Sequence, residues 1–213
     1  KNPLTAIKSS SELLLKNSIS EENKVKVIRN FNKEVDRMNR LISDISNFSR
    51  IMSEIEIERF KKIELNNFFL NFKKNYLGNT KGIEIKLELD KFKLDVLVNE
   101  DKFLQVILNL INNSISVSKK NSQILIKTKK YTKKFVQIKI YDQGKGINFS
   151  DKEKIFDRFY TDREISRRDH SGLGLSISRE IIKSFNGSIK LTESDNFNFR
   201  GACFMIKLPL RVI

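Results

Sequence analysis

The chain has 213 residues, 39% of them hydrophobic, with eight glycines, two prolines and a formal net charge of +15. That supplies apolar material for one medium domain, or for a small helical unit plus one domain, and excludes collagen-like and linker-like classes. No apolar run approaches the ~20 residues of a membrane span, no secretory signal pattern is present, and the lone Cys203 lies in an apolar stretch that reads as a buried strand rather than half of a disulfide.

Residues 1–15 read as a helix, with Pro3 suited to its first turn and Leu4, Ile7, Ser11 and Leu14 at 3–4 spacing. Lys16 to Ile19 makes a turn. Ser20 caps a second helix, about Glu21 to Ile51, whose first-turn acids suit the helix dipole. Ile28, Phe31, Val35, Met38, Ile42, Ile45 and Met52 keep a heptad register there, interrupted by Ser49 and widened by Leu41 and Phe48. Two helices cannot bury such a seam, whereas two hairpins paired in a four-helix bundle can, so a homodimer through residues 1–52 is expected.

Residues 52–62 look like a connector, after which the pattern becomes mixed. Leu65 to Leu77 suggests a helix. Ile83 to Leu89 alternates with period two as a half-buried strand, and Leu94 to Val98 is another strand. Asn99 caps a helix to about Ser118. Gln123–Thr128 and Phe135–Tyr141 form a strand pair, 143–171 is loop-rich, and a helix from Leu173 to Phe185 ends at Asn186-Gly187. Ser188–Thr192 and Ala202–Leu208 close as a hairpin. The expected fold class is α+β, divided as residues 1–55, a helical hairpin, and 60–213, an α/β sandwich with helices on one sheet face.

The basic charge invites a nucleic-acid partner. The lysines are scattered, however, and the densest groups (Lys127, Lys129, Lys130, Lys133, Lys134) flank a hairpin turn with no zinc, recognition-helix or aromatic RNA-binding motif. Solvated faces are therefore expected and nucleic acid is not, while an anionic membrane surface or acidic protein stays open.

Three motifs carry chemistry together. On the helix 100–118, Gln105, Asn109, Asn112, Asn113 and Ser116 line one side, and Leu104, Ile107, Leu108, Ile111 and Ile115 the other. Carboxamide oxygens are hard, neutral ligands that suit Mg²⁺ without repelling a triphosphate; an amphipathic helix with asparagines facing water is the plain alternative. Asp142 ends an apolar strand, where its carboxylate can accept an exocyclic amine such as that of adenine, and Gly144 and Gly146 permit positive φ and close approach of a ligand. Ser171-Gly172-Leu173-Gly174 precedes a helix whose free amides suit phosphate, although it is neither a P-loop nor a dinucleotide fingerprint. Each motif alone is weak; their order is specific.

That order resembles the cytoplasmic core of a bacterial sensor histidine kinase over nearly every residue. Asn109–Asn113 matches the family's N box, Asp142–Ile147 its first glycine box, Phe156–Tyr160 its phenylalanine box, Ser171–Leu175 its second glycine box, and Lys1–Thr5 the tail of its histidine box. The tracts Phe159–Arg163 and Ser171–Ser178 are similar to the acid- and envelope-sensing branch. The resemblance implies a dimerisation and phosphotransfer hairpin, half of a dimeric four-helix bundle, followed by an ATP-binding domain of the histidine-kinase/Hsp90-like type. It implies ATP and Mg²⁺ as cofactors, with Asn113 on the metal, Asn109 beside the phosphates and Asp142 reading adenine with Gly144, Gly146 and Ile147 around the base. Tyr160 and the 148–171 loop would form a lid, with Arg163, Arg167 or Arg168 reaching phosphate, and Ser171, Gly172, Leu173, Gly174 and Leu175 would cradle the phosphates and hinge the lid. A response-regulator receiver domain is the implied partner, and a cytoplasmic position within a protein of the bacterial inner membrane the implied location.

The chain departs from the pattern in places. The histidine box normally begins His-Glu-x-x-Asn-Pro, and its histidine would stand before Lys1; the single histidine, His170, falls in the lid and reads as a surface residue. Ser116, Val117 and Lys145 replace residues common in the boxes. Asn109 stands where ATP-hydrolysing relatives usually have glutamate, and an amide cannot deprotonate water, so phosphotransfer is favoured over hydrolysis. Asn2 occupies the family position that orients water for a phosphatase reaction. A serine kinase of the same fold and a non-catalytic basic interaction module are the rival readings.

Overall fold

The computed structural model describes residues 3–15, 20–55, 60–76, 82–160 and 172–211. The chain divides into two compact units, Lys1–Ile51 and Met52–Ile213.

The first unit carries helix α1 (Pro3–Leu14) and most of helix α2 (Glu21–Ile55). Ser20 caps α2 as its chemistry demands: its Oγ accepts from the Asn23 amide at 3.4 Å, and its carbonyl from Lys24 N at 3.0 Å. Lys24 and Lys26 pair with Glu21 and Glu22 one turn away. The heptad stripe is only partly covered. Phe31, Val35 and Met38 are half-buried, but Ile28, Ile42 and Ile45 remain 47%, 56% and 48% exposed. The predicted turn over Lys16–Ile19 lies outside the described residues.

The second unit begins with a strand that sequence reading leaves in a connector. β1 (Lys61–Glu64) pairs antiparallel with β3 (Asp95–Val98), so the strand at 94–98 belongs to a small two-stranded sheet rather than the main one. Lys61-Lys62-Ile63-Glu64 offers one apolar side chain, Ile63, opposite Val96, too little to signal a strand from composition. Helix α2 correspondingly runs to Ile55 rather than Ile51. Between β1 and β3 come α3 (Leu65–Tyr76) and β2 (Glu84–Glu88).

The main sheet has five strands in the order β2-β4-β5-β7-β6, where β4 is Gln123–Lys130, β5 Phe135–Tyr141, β6 Ser188–Thr192 and β7 Cys203–Pro209. All pairings are antiparallel except β2 with β4. Period-two alternation gives it two unlike faces. Ile126, Ile140, Phe204 and Leu191 fall in one cross-strand row and are buried, on the face that packs against α4 (Glu100–Val117) and α5 (Gly174–Ser184). The opposite face is lysine-rich. It carries an apolar cluster of Leu125, Tyr141, Cys203 and Phe199, the last reaching over from the β6–β7 loop.

Candidate functional site

Helix α4 starts where Asn99 accepts the Lys102 amide at 3.0 Å. Its core face comprises Phe103, Val106, Ile107, Leu110, Ile111 and Ser114. The expected apolar side is thus rotated: Leu104, Leu108 and Ile115 are only half-buried, because the helix must serve the sheet and α5 together. This rotation brings Asn109 against α5. Its Nδ2 donates to the Gly174 carbonyl at 3.2 Å and to Ser178 Oγ at 3.4 Å, so one half of the carboxamide bolts α4 to α5. Asn113, one turn on, is half-buried, and its side chain has no hydrogen-bond partner among the described residues.

Asp142 follows the last residue of β5 and is 1% exposed. Its Oδ1 accepts two backbone amides, Gly144 N and Ala202 N, both at 2.9 Å. Its backbone is fixed as well: Asp142 N donates to the Ala202 carbonyl at 3.1 Å and its carbonyl accepts from Gly201 N at 3.0 Å. Burial pushes the carboxyl above the usual carboxylate range, against the downward pull of the two amides. The Ser114 hydroxyl also pulls downward from outside hydrogen-bond geometry, and is left buried with no partner among the described residues. The carboxylate is therefore held by one oxygen, with Oδ2 outside the amide clamp.

Close packing builds this clamp. A Cβ on Gly144 would meet Val117 Cγ2 at 2.6 Å, so the requirement there is space at the end of α4; the positive φ expected at Gly144 is absent, and only Gly146 adopts it, at +75°. A Cβ on Gly201 would stand 1.9 Å from Asp142 Oδ1 itself. Gly201, Ala202 and Ser114 are site residues that sequence reading misses.

Beyond Ile147, which is 37% exposed, two short 3₁₀ turns (Phe149–Asp151 and Lys154–Phe156) lead to Tyr160. Phe156 is buried edge-on to Phe204, at 6.4 Å between centroids. The Arg179 guanidinium lies 4.3 Å from its ring centroid and pairs with Glu153 at 3.0 Å, fastening this segment to α5. Phe159 has φ +64° and donates its amide to the Gly172 carbonyl at 3.0 Å. Gly172, with φ +75°, lies so close that a Cβ would meet Phe159 C at 2.7 Å. Tyr160 and Gly172 thus form a neck between which residues 161–171 are strung. Arg163, Arg167, Arg168, His170 and Ser171 of that stretch, and Asn2, lie outside the described residues.

Leu173 is buried and precedes α5 with no side-chain cap, so the amides of the first turn at Gly174 and Leu175 carry no capping side chain. Gly174 needs neither unusual φ nor space, since its nearest neighbour is an ordinary 3.7 Å from a Cβ. Asn109, Gly174 and the α5 amides are brought together by hydrogen bonds; Asp142, Gly144 and Val117 meet at the end of the same α4. Asn113 occupies the helix between these two groups. A groove of about 690 Å³ between Lys145–Asn148 and the β6–β7 loop contains neither Asn109 nor Asn113 nor the α5 amides. Convergence of donors and acceptors, rather than volume, marks the site. No group of three or more acidic, histidine or cysteine side chains suited to a metal occurs among the described residues.

Comparison with known proteins identifies the family. The family "Histidine kinase-, DNA gyrase B-, and HSP90-like ATPase" matches residues 98–212, and "His Kinase A (phospho-acceptor) domain" matches residues 1–54. The chain is 32% identical to Sensor protein ChvG of Rhizobium meliloti (strain 1021) over 98% of its own length, and spans 38% of that protein. It is similar to the catalytic domain of histidine kinase ThkA, at 27% identity and a TM-score of 0.57, covering 71% of this chain and 97% of that one. It is also similar to histidine kinase ThkA solved in complex with response regulator protein TrrA, at 25% identity and a TM-score of 0.62, covering 98% of this chain and 57% of that one.

Proposed function

The chain belongs to the histidine kinase-, DNA gyrase B- and HSP90-like ATPase family, joined to a His Kinase A phospho-acceptor domain, and from that premise we propose that it is the phosphotransfer core of a sensor histidine kinase in a two-component system. The observation that carries the reading is the half-clamped carboxylate of Asp142. Both amide bonds go to Oδ1, which leaves Oδ2 to accept the exocyclic amine of adenine, with Gly144, Gly146 and Ile147 around the base. The phosphates then run along α4 toward the uncapped α5 amides at Gly174 and Leu175, with Gly172 and Leu173 shaping the approach.

Asn113 suits Mg²⁺, because its carboxamide is a hard, neutral ligand with no hydrogen-bond partner among the described residues. Bound there, the ion would neutralise phosphate charge during transfer. Asn109 keeps its Nδ2 on α5 and offers only an amide oxygen, which cannot act as a base toward water. Tyr160, Arg163 and Ser171 complete the lid. A neutral imidazole on the phospho-acceptor helix attacks the γ-phosphorus; an N–P bond forms, the P–O bond to ADP breaks, and positioning supplies most of the rate. The phosphoryl group passes on to a receiver-domain aspartate, a partner supported by the ThkA–TrrA complex. Asn2 would orient water for dephosphorylation.

The exposed Ile28, Ile42 and Ile45 of α2 support homodimerisation through residues 1–52. No helix among the described residues is long and apolar enough to cross a membrane; likeness to a sensor protein supports a whole protein of the bacterial inner membrane with this part on the cytoplasmic side.

Calorimetry with ATP and magnesium tests the site. Association is expected, with Asp142→Ala and Asn113→Ala each weakening it at least roughly tenfold; parent-like binding by both variants would end the reading. The 213 residues should not become labelled by γ-labelled ATP, since His170 is their only histidine. An acid-stable phosphoprotein would instead favour a serine kinase of this fold.

A further inference from the structure

Strand alternation gathers Lys86, Lys127, Lys129, Lys139, Lys190 and Lys207 on the sheet face away from the helices. Only part of that charge is answered. Lys127 pairs with Glu88 at 2.8 Å, and Lys139 with Asp195 at 2.7 Å; the Lys139 ammonium, and after it the Tyr141 hydroxyl that also donates there, hold the Asp195 carboxyl below the usual range. Lys86, Lys129 and Lys190 are exposed with no acidic partner among the described residues. Lys207 lies over the rings of Tyr131 and Phe135, at 5.2 and 4.2 Å.

The β4–β5 end of the sheet adds an aromatic rim. Phe92 and Tyr131 are 53% and 56% exposed, and Lys130, Lys133 and Lys134 stand beside them. Exposed rings among lysines are what an interface between water and hydrocarbon accommodates: the ring enters the headgroup layer while the ammonium stays hydrated.

We propose that the lysine-studded open face of the five-stranded sheet, with its aromatic rim at Phe92 and Tyr131, docks this domain on an anionic phospholipid surface. Charge complementarity and chemistry select that occupant. The cations of the strands on this face are lysines, with no arginine among them, and lysine offers a compact hydrated charge on a flexible stem rather than the rigid fork that recognises nucleic-acid phosphates or fixed carboxylates. A fluid lipid layer rearranges to meet such scattered charges, and five strands make a broad surface.

The test is co-sedimentation of the 213-residue chain with phosphatidylcholine vesicles, with and without about 30 mol% phosphatidylglycerol. Binding is expected only to the anionic vesicles, with release at about 0.5 M salt. A variant carrying Lys129→Glu, Lys133→Glu, Lys190→Glu and Lys207→Glu should bind at least roughly tenfold more weakly. A control with the same net charge, Lys33→Glu, Lys61→Glu, Lys73→Glu and Lys74→Glu, should stay within about threefold of the parent. Phe92→Ser with Tyr131→Ser should weaken the binding that survives at intermediate salt. Thermal melting and ATP affinity, read on every variant, confirm an intact fold. Equal loss in the face and control variants would reduce the effect to net charge and overturn the proposal, as would binding to neutral vesicles alone. Vesicles left unbound while a DNA duplex or polyglutamate binds through the same four lysines would overturn it as well.

Discussion

At one end of the proposed site, Asp142 is immobilised by its neighbours: two amides on one carboxylate oxygen, two more backbone bonds to Gly201 and Ala202, and glycines where any side chain would collide. At the other end, the Phe159–Gly172 neck is one backbone bond between two residues that both hold positive φ. The first end is fixed by lack of space, the second by lack of space and positive φ together. On the proposed reading, Asp142 gains from rigidity, because a displaced carboxylate loses its hydrogen bond, whereas a phosphate lid would have to open and close.

The most damaging change should be Gly201→Ala. Its methyl group would occupy the position of Asp142 Oδ1, 1.9 Å away, and about 3 kcal/mol of overpacking is expected. Thermal melting should fall, and calorimetry should show ATP affinity down roughly a hundredfold or more, to be read at a temperature where the fold persists.

Asp142→Asn separates recognition from stability at this rigid end. An Asn Oδ1 can still accept both amides, but Nδ2 would face the adenine amine with a donor, so affinity should drop roughly thirtyfold, or about 2 kcal/mol. The fold should hold or gain. Because the folded Asp142 pKa is raised, its stabilising contribution is fully present below the ordinary carboxylate value and is lost as pH rises through the raised one. Nucleotide-free parent should therefore melt lower as pH climbs through that window, and bind ATP more weakly as pH falls through it. The amide variant should lose both dependences in titrations monitored by melting and calorimetry.

Gly172→Ala addresses the neck, where a Cβ at φ +75° costs about 1–2 kcal/mol beyond its crowding against Phe159. ATP affinity should fall about tenfold while adenosine affinity holds; equal loss of both would mean that the two ends are not independent. Smallest of all, Gly174→Ala should leave ATP affinity within about threefold and shift stability by less than about 1 kcal/mol, since only an ordinary contact with Asn109 is made. A large effect there would place a steric demand where none is visible.

Local chemistry made much of this fold legible. Ser20 and Asn99 cap the helices they precede, and Asn186-Gly187 stops α5, with Asn186 at φ +55° and Gly187 N returning to the Ile182 carbonyl at 2.9 Å. The motif order fixed the family. What escaped depends on distant partners. β1 is a strand because β3 pairs with it, and Gly201 is obligatory because Asp142 lies there in space; the Ala202–Asp142 bond joins residues 60 positions apart. The apolar face of α4 was misjudged because two neighbours, the sheet and α5, share the helix, so no single stripe describes it. Ser114 escaped for a related reason: a buried hydroxyl facing a carboxylate has no signature in a string of letters.

The neck at Phe159 and Gly172 carries an evolutionary consequence. The residues that flank 161–171 meet at a single point, fastened by the bond from Phe159 N to the Gly172 carbonyl. Closing a longer or shorter insert at such a point changes the free energy only with the logarithm of its length. That stretch can therefore be traded as a cassette, its charge and reach rewritten while Asp142, the α4 asparagines and the sheet stay as they are.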